Sequence, residues 1–171
     1  MDAKQRRQEL LRLLEKATTP LTGTQLAREL GVSRQVIVGD FALLRATGAE
    51  VYATPQGYLL PKRSVAQVVS ATLACKHARE RLHEELAIII DNGGKVVDVV
   101  VEHPLYGEIK ATLMLSTRRE LNQFLAQLSE SNAEPLSAIT DGVHLHTVEV
   151  PDAETLERIK HELKEKGILL N

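Results

Sequence analysis

The stretch "LTGTQLARELGVSRQVIVGDFALLRATG", residues 21–48, decides the architecture of the N-terminal part of the chain. Thr22 and Gln25 stand at capping-box spacing, so a short helix starts there and stops at Gly31, which tolerates the left-handed backbone of a helix end. Ser33 is placed to cap a second helix that stops at Gly48. Two helices of this size joined by "GVS" have helix-turn-helix spacing, in which the second helix enters the DNA major groove. Outward toward the N-terminus, residues 3–17 read as a helix, with Leu10, Leu11, Leu13 and Leu14 on a stripe. Arg6, Arg7, Arg12 and Lys16 lie outside it, and Arg6 and Arg7 read as a solvated face. Outward in the other direction, "AEVYATPQGYLL", residues 49–60, alternates around a "TPQG" turn and reads as a hairpin. Three helices followed by a hairpin define a winged helix.

Ser33, Arg34 and Gln35, exposed at the start of the last helix, are the donors and acceptors that base edges and phosphates require. Arg45 lies farther along and is assigned to the DNA backbone or to solvent. Gly39 falls inside this recognition helix, where glycine costs about 1 kcal/mol and offers no side-chain contact.

The chain has 171 residues, 43% hydrophobic and 26% charged, with a net charge of −2. That is ordinary for globular protein and sufficient for one medium domain or two small ones. The charge is unevenly spread. Residues 1–63 hold ten Lys/Arg against six Asp/Glu, and residues 64–171 hold eleven against seventeen. A modestly basic module beside an acidic one suits a nucleic-acid-binding domain, residues 1–63, carried by a regulatory domain, residues 64–171. No apolar run approaches the roughly 20 residues that span a bilayer, and the N-terminus lacks a signal-peptide core, so a cytoplasmic location without membrane partners is expected. The single cysteine, Cys75, excludes an intramolecular disulfide and any multi-cysteine zinc or iron–sulfur site. No P-loop, GxGxxG, GxSxG or HExxH pattern occurs in the sequence.

The second part reads as strand, helix, two strands around "HPLYG", helix, two strands around "TDG", and helix. The strand preceding "TDG" is expected from about Leu136. Thr117 with Glu120, and Asp152, mark helix starts. This order predicts an α+β fold: a winged helix-turn-helix followed by an α/β sandwich with helices on one side of a mixed sheet.

His144 and His146 in "GVHLHTVEV" sit two apart on a strand and share one face. His77 ends an earlier strand. In the helix after it, Ala78, Leu82, Leu86 and Ile89 mark the buried stripe, Glu85 lies at its border and Glu84 faces water. A carboxylate at such a border is costly unless paired or coordinated, so His77, Glu85, His144 and His146 form a candidate metal set. Imidazole and carboxylate ligands suit one divalent transition metal per chain, Ni, Zn, Fe or Co, over Mg or Ca. His83 and His161 read as surface residues. Spacing leaves His103 open between a ligand, a ligand-pocket residue and a turn residue; with Tyr106 it is a candidate for an organic-ligand pocket.

"ELGVSRQVIVGDFALLRATG" resembles the winged-helix modules of bacterial repressors of the biotin-repressor type. "ACKHARERLHEELAIIIDNGGKVVDVVVEHPLYGEIKATL" and "PLSAITDGVHLHTVEVPD" resemble the three-histidine (3H) domain. Together the chain is similar, over essentially its full length, to the niacin-responsive transcriptional repressors that control NAD precursor uptake and synthesis. The resemblance implies a DNA-binding repressor, not an enzyme, with a metal on His77, Glu85, His144 and His146. It also implies nicotinic acid as corepressor and a homodimer acting on palindromic double-stranded operators. Two other readings remain at this level: a regulator whose effector is the metal alone, and a metal-dependent enzyme fused to a DNA-binding domain, with His103 or Glu102 as base.

Overall fold

The computed structural model describes residues 1–61 and 67–171. The chain divides into two compact units, Met1–Ser64 and Val65–Asn171. The junction expected between residues 63 and 64, and the first residues of the strand expected from Ser64, lie outside the described residues.

In the first unit, α1 (Ala3–Lys16), α2 (Gly23–Leu30) and α3 (Arg34–Ala46) precede the hairpin β1 (Tyr52–Thr54) and β2 (Gly57–Leu59). Each helix starts on a side chain that satisfies orphan backbone N–H groups. Asp2 with Gln5 and Thr22 with Gln25 form capping boxes, and the Ser33 hydroxyl accepts from the Val36 N–H. Gly31 takes the left-handed conformation at φ 67° and ends α2. Leu10 and Leu14 of α1, Leu26 of α2, Ile37, Phe41 and Leu44 of α3 and Val51 make one core, with Phe41 stacked on Tyr58 of the wing at 4.0 Å. The unit is a winged helix. Arg6 and Arg7 depart from expectation. They are not a free solvated face, because Asp40, buried on the inner side of α3, holds Arg6 Nε at 2.5 Å and Arg7 at 3.4 Å. A carboxylate facing the core must be paired, and α1 supplies the partners.

The second unit contains β3 (Val69–Lys76), α4 (Leu82–Asp91), β4 (Lys95–His103), β5 (Gly107–Leu115), α5 (Arg118–Glu130), β6 (Val143–Val150) and α6 (Ala153–Glu165). The sheet order is β3-β6-β4-β5, and every pairing is antiparallel. The expected mixed sheet is thus corrected to an antiparallel one: β4 and β5 form a hairpin, while β6 enters between β3 and β4 running against both. The segment from Leu136, expected as a strand, is instead a 3-10 turn, Leu136–Thr140. Pro135 and the Asp141–Gly142 turn confine it to five residues, and its backbone groups pair locally, Ala138 N–H to Pro135 and Gly142 N–H to Ser137. The chain end returns beside β3, where Leu170 N–H donates to the Ala74 carbonyl.

Helices α4, α5 and α6 cover one face of the sheet. Leu86 and Ile89 of α4, Leu121 of α5 and Ile159 and Leu163 of α6 are buried with Leu73, Val96, Leu115 and Val148 of the strands. Each such aliphatic side chain contributes about 1.5–3 kcal/mol. Ala78 is exposed and precedes α4, joined to it by a 3-10 turn at Arg79–Arg81, so the buried stripe begins at Leu82. Glu84 is half-buried and paired with Arg81 and Lys166.

Candidate functional site

On β6, His144 and His146 occupy the same face as Val148 and Val150, the face that the helices cover, and all four are buried. Register places His144 opposite Cys75 and His146 opposite Leu73. His77 follows β3 directly, and its N–H approaches the Gly142 carbonyl at 3.4 Å. That approach requires glycine: a Cβ on Gly142 would stand 2.2 Å from the His77 carbonyl oxygen, at a φ of 88°. Glu85, in the first turn of α4, projects into the same space and is fully buried.

The three imidazoles converge on one carboxylate. His77 Nε2 is 2.5 Å from Glu85 Oε2, His144 Nε2 is 3.0 Å from Oε1, and His146 Nε2 is 3.4 Å from Oε2. The opposite ring nitrogens are all occupied by main-chain carbonyls. His77 Nδ1 donates to Ala78 at 2.8 Å, His144 Nδ1 to Gly142 at 2.8 Å and His146 Nδ1 to Asp98 at 2.7 Å. A carbonyl only accepts, so every Nδ1 carries its hydrogen, and in the neutral ring every Nε2 presents a lone pair. Three lone pairs and a carboxylate facing one another inside a core repel unless a cation stands between them. His146 Nε2 is buried and has no hydrogen-bond partner among the described residues. These residues therefore fit a divalent transition metal, with hydrogen-bonded Nδ1 atoms fixing the tautomers that coordination needs.

The electrostatics agree. Burial alone pushes the His77 and His146 imidazoles down, but Glu85 outweighs it and holds both above the ordinary histidine value. Burial alone raises Glu85, but the imidazoles of His144, His146 and His77 gathered around it hold its carboxyl well below the usual carboxylate range. The site attracts positive charge, whether protons or a metal.

Asp98 is the participant that the sequence reading missed. Between Val96 and Val100, β4 carries one residue more than β6, and this bulge frees the Asp98 carbonyl for His146. The buried Asp98 carboxylate accepts the Thr147 N–H at 3.0 Å and lies 3.5 Å from Lys110 Nζ. The signal was present as an acidic residue inside the apolar run "KVVDVVV". Cys75, also buried, lies beside this cluster. Its sulfur, a Glu85 oxygen and a His144 nitrogen are within 4.8 Å of one another. Burial, followed by the neighbouring Glu85 charge, pushes the thiol up.

His103 stands at the β4–β5 turn, where its Nδ1 accepts the backbone N–H groups of Leu105 at 3.0 Å and Tyr106 at 3.2 Å. Tyr106 is exposed, its ring 5.0 Å from that of His103. His83 and His161 are exposed.

In the winged helix, Arg34 and Gln35 are exposed in the first turn of α3, and the Ser33 hydroxyl caps that turn. Arg45 is anchored at the wing: its Nε donates to the Val51 carbonyl at 2.8 Å, and its guanidinium lies over the Tyr58 ring. Among the described residues, nothing outside its own helix backbone lies within 4 Å of a Cβ built on Gly39, so this position opens to the surface of α3.

Comparison with known proteins matches residues 6–59 to the HTH domain and residues 70–171 to the 3H domain. The chain is 48% identical over 166 residues to a Thermotoga maritima protein named "Probable transcription repressor NiaR", covering 97% of this chain and 94% of that one. It is 43% identical over 167 residues to the "Transcription repressor NadR" of Bacillus subtilis, covering 96% and 93%. A Methanothermus fervidus protein of undescribed role is 27% identical over 104 residues, covering 57% of this chain and 16% of its own length. With a winged helix in its first unit, a 3H domain in its second and matches over nearly its whole length, the chain belongs to the NiaR/NadR family of HTH–3H transcription repressors.

Proposed function

We propose that this protein is a transcription repressor that binds double-stranded operator DNA through α3 and its wing and senses nicotinic acid through a metal held in the second unit. His77, Glu85, His144 and His146 are the metal ligands in this reading. Ser33, Arg34 and Gln35 meet the DNA, and Arg45 holds the wing against α3. The protein acts in the cytoplasm as a homodimer whose two recognition helices enter the half-sites of a palindrome. The observation that carries the metal is the convergence of three Nε2 atoms on Glu85 while every Nδ1 donates to a main-chain carbonyl. Zn, Ni, Fe or Co bound there supplies a Lewis-acidic position for the carboxylate or ring nitrogen of a pyridine carboxylate. The names of the relatives support the repressor role.

The energetic requirement is differential binding: nicotinic acid shifts the protein toward its DNA-competent form only by as much as it prefers that form. The test uses duplexes selected by the protein from a random pool, titrated by fluorescence anisotropy. Nicotinate is expected to tighten binding by metal-loaded protein and to have no effect on stripped protein. Tightening by metal alone, with nicotinate inert, would identify the metal as the effector.

A further inference from the structure

We propose that Cys75 supplies a thiolate ligand to the metal centre, adding sulfur to the His77, Glu85, His144 and His146 set; the proposal rests on the metal reading above. Cys75 is fully buried, opposite His144 in the β3–β6 register, on the strand face that looks toward α4. Its Sγ lies within 4.8 Å of both a Glu85 oxygen and a His144 nitrogen. The buried His146 Nε2, without a hydrogen-bond partner among the described residues and 3.4 Å from Glu85 Oε2, points to a ligand at the same carboxylate.

The geometry is close to what coordination demands. A thiolate binds zinc at about 2.3 Å, and imidazole or carboxylate at about 2.0–2.2 Å, so two ligands of one ion stand up to about 4 Å apart. The Cys75 sulfur, within 4.8 Å of a Glu85 oxygen and a His144 nitrogen, has to draw in to that range to bind. On binding, the S–H bond breaks, a sulfur–metal bond forms and the proton leaves to solvent, with no change of oxidation state. A thiolate is a soft ligand. Its presence directs the site toward zinc, cobalt or nickel and away from manganese and magnesium, which oxygen donors prefer.

Cobalt(II) titration of the full-length, metal-free protein under reducing, oxygen-free conditions tests this. Binding is expected to produce a near-ultraviolet sulfur-to-cobalt charge-transfer band together with visible ligand-field absorption. Cys75 is the chain's only cysteine, so a thiolate band in the unsubstituted protein assigns it. Cys75→Val is expected to retain the visible absorption and lose the near-ultraviolet band. Cobalt binding without that band in the unsubstituted protein overturns the sulfur ligand and leaves the metal centre standing. Failure of the unsubstituted protein to bind cobalt overturns both.

Discussion

His77 Nε2 and Glu85 Oε2 stand 2.5 Å apart in a fully buried setting, while the other nitrogen of His77 is spent on the Ala78 carbonyl. Glu85 is the common partner of all three histidines, and its loss leaves their nitrogens facing one another unpaired. Breaking one side of such a buried charged contact costs about 3–5 kcal/mol. Glu85→Gln is expected to abolish metal binding in calorimetry and to lower the melting of the second unit. The winged-helix transition should stay in place; its loss as well would show that the centre supports the whole chain.

Metal binding should weaken with falling pH earlier than isolated imidazoles suggest. His77 and His146 are held above the ordinary histidine value of about 6.5. Metal must displace protons from both, so affinity falls as pH drops through that raised value, and the decline begins above pH 6.5. Glu85, held well below its ordinary range, stays ionised throughout and adds no competing proton. The two rings together are expected to contribute about two decades of affinity per pH unit once both are protonated, in addition to the proton that a Cys75 thiolate releases on binding. Metal titrations from pH 5 to 8.5 measure it, and an onset below pH 6 would contradict the sign of the histidine shifts.

Asp98 reaches the centre through the backbone. Its carbonyl orients His146 and its side chain fastens the bulge by accepting the Thr147 N–H. Asp98→Ala is expected to reduce metal affinity about 10–100-fold, the range found for groups that orient ligands. Asp98→Asn keeps an oxygen for Thr147 and should recover most of the loss. Equal affinity in all three proteins would confine Asp98 to the sheet.

Gly39 tests the recognition helix separately. A Cβ there meets nothing within 4 Å outside its own helix backbone among the described residues, and alanine removes the conformational cost of glycine in a helix. Gly39→Ala is expected to stabilise the winged helix by about 0.5–1 kcal/mol, read from its melting temperature. Weaker operator binding by that stabilised variant would show that DNA approaches the helix closely at Gly39.

Local chemistry made much of this molecule legible in advance. Thr22 with Gln25, Ser33, Thr117 with Glu120, and Asp152 start helices in the structure as their spacing predicts, because a cap is an interaction among neighbours in sequence. The shared face of His144 and His146 and the inward turn of Glu85 followed from strand and helix periods. Arg6 and Arg7 were misread because their partner Asp40 lies more than thirty residues away, on another helix. The run from Leu136 was misread because Pro135 and the Asp141–Gly142 turn leave too little chain for a ladder, and its pairings close within the turn.

Periodicity and neighbouring residues were enough to read most of the helices and strands, the winged-helix order, and the shared face of His144 and His146. Long-range pairing alone puts β6 between β3 and β4, which sets His144 opposite Cys75. It also decided that a bulge turns the Asp98 carbonyl to His146, and that Gly142 lets the His77 backbone close on β6. Those relations join residues tens of positions apart, and their geometry is set by strand pairing and by the packing of α4 over the sheet, which no local spacing encodes.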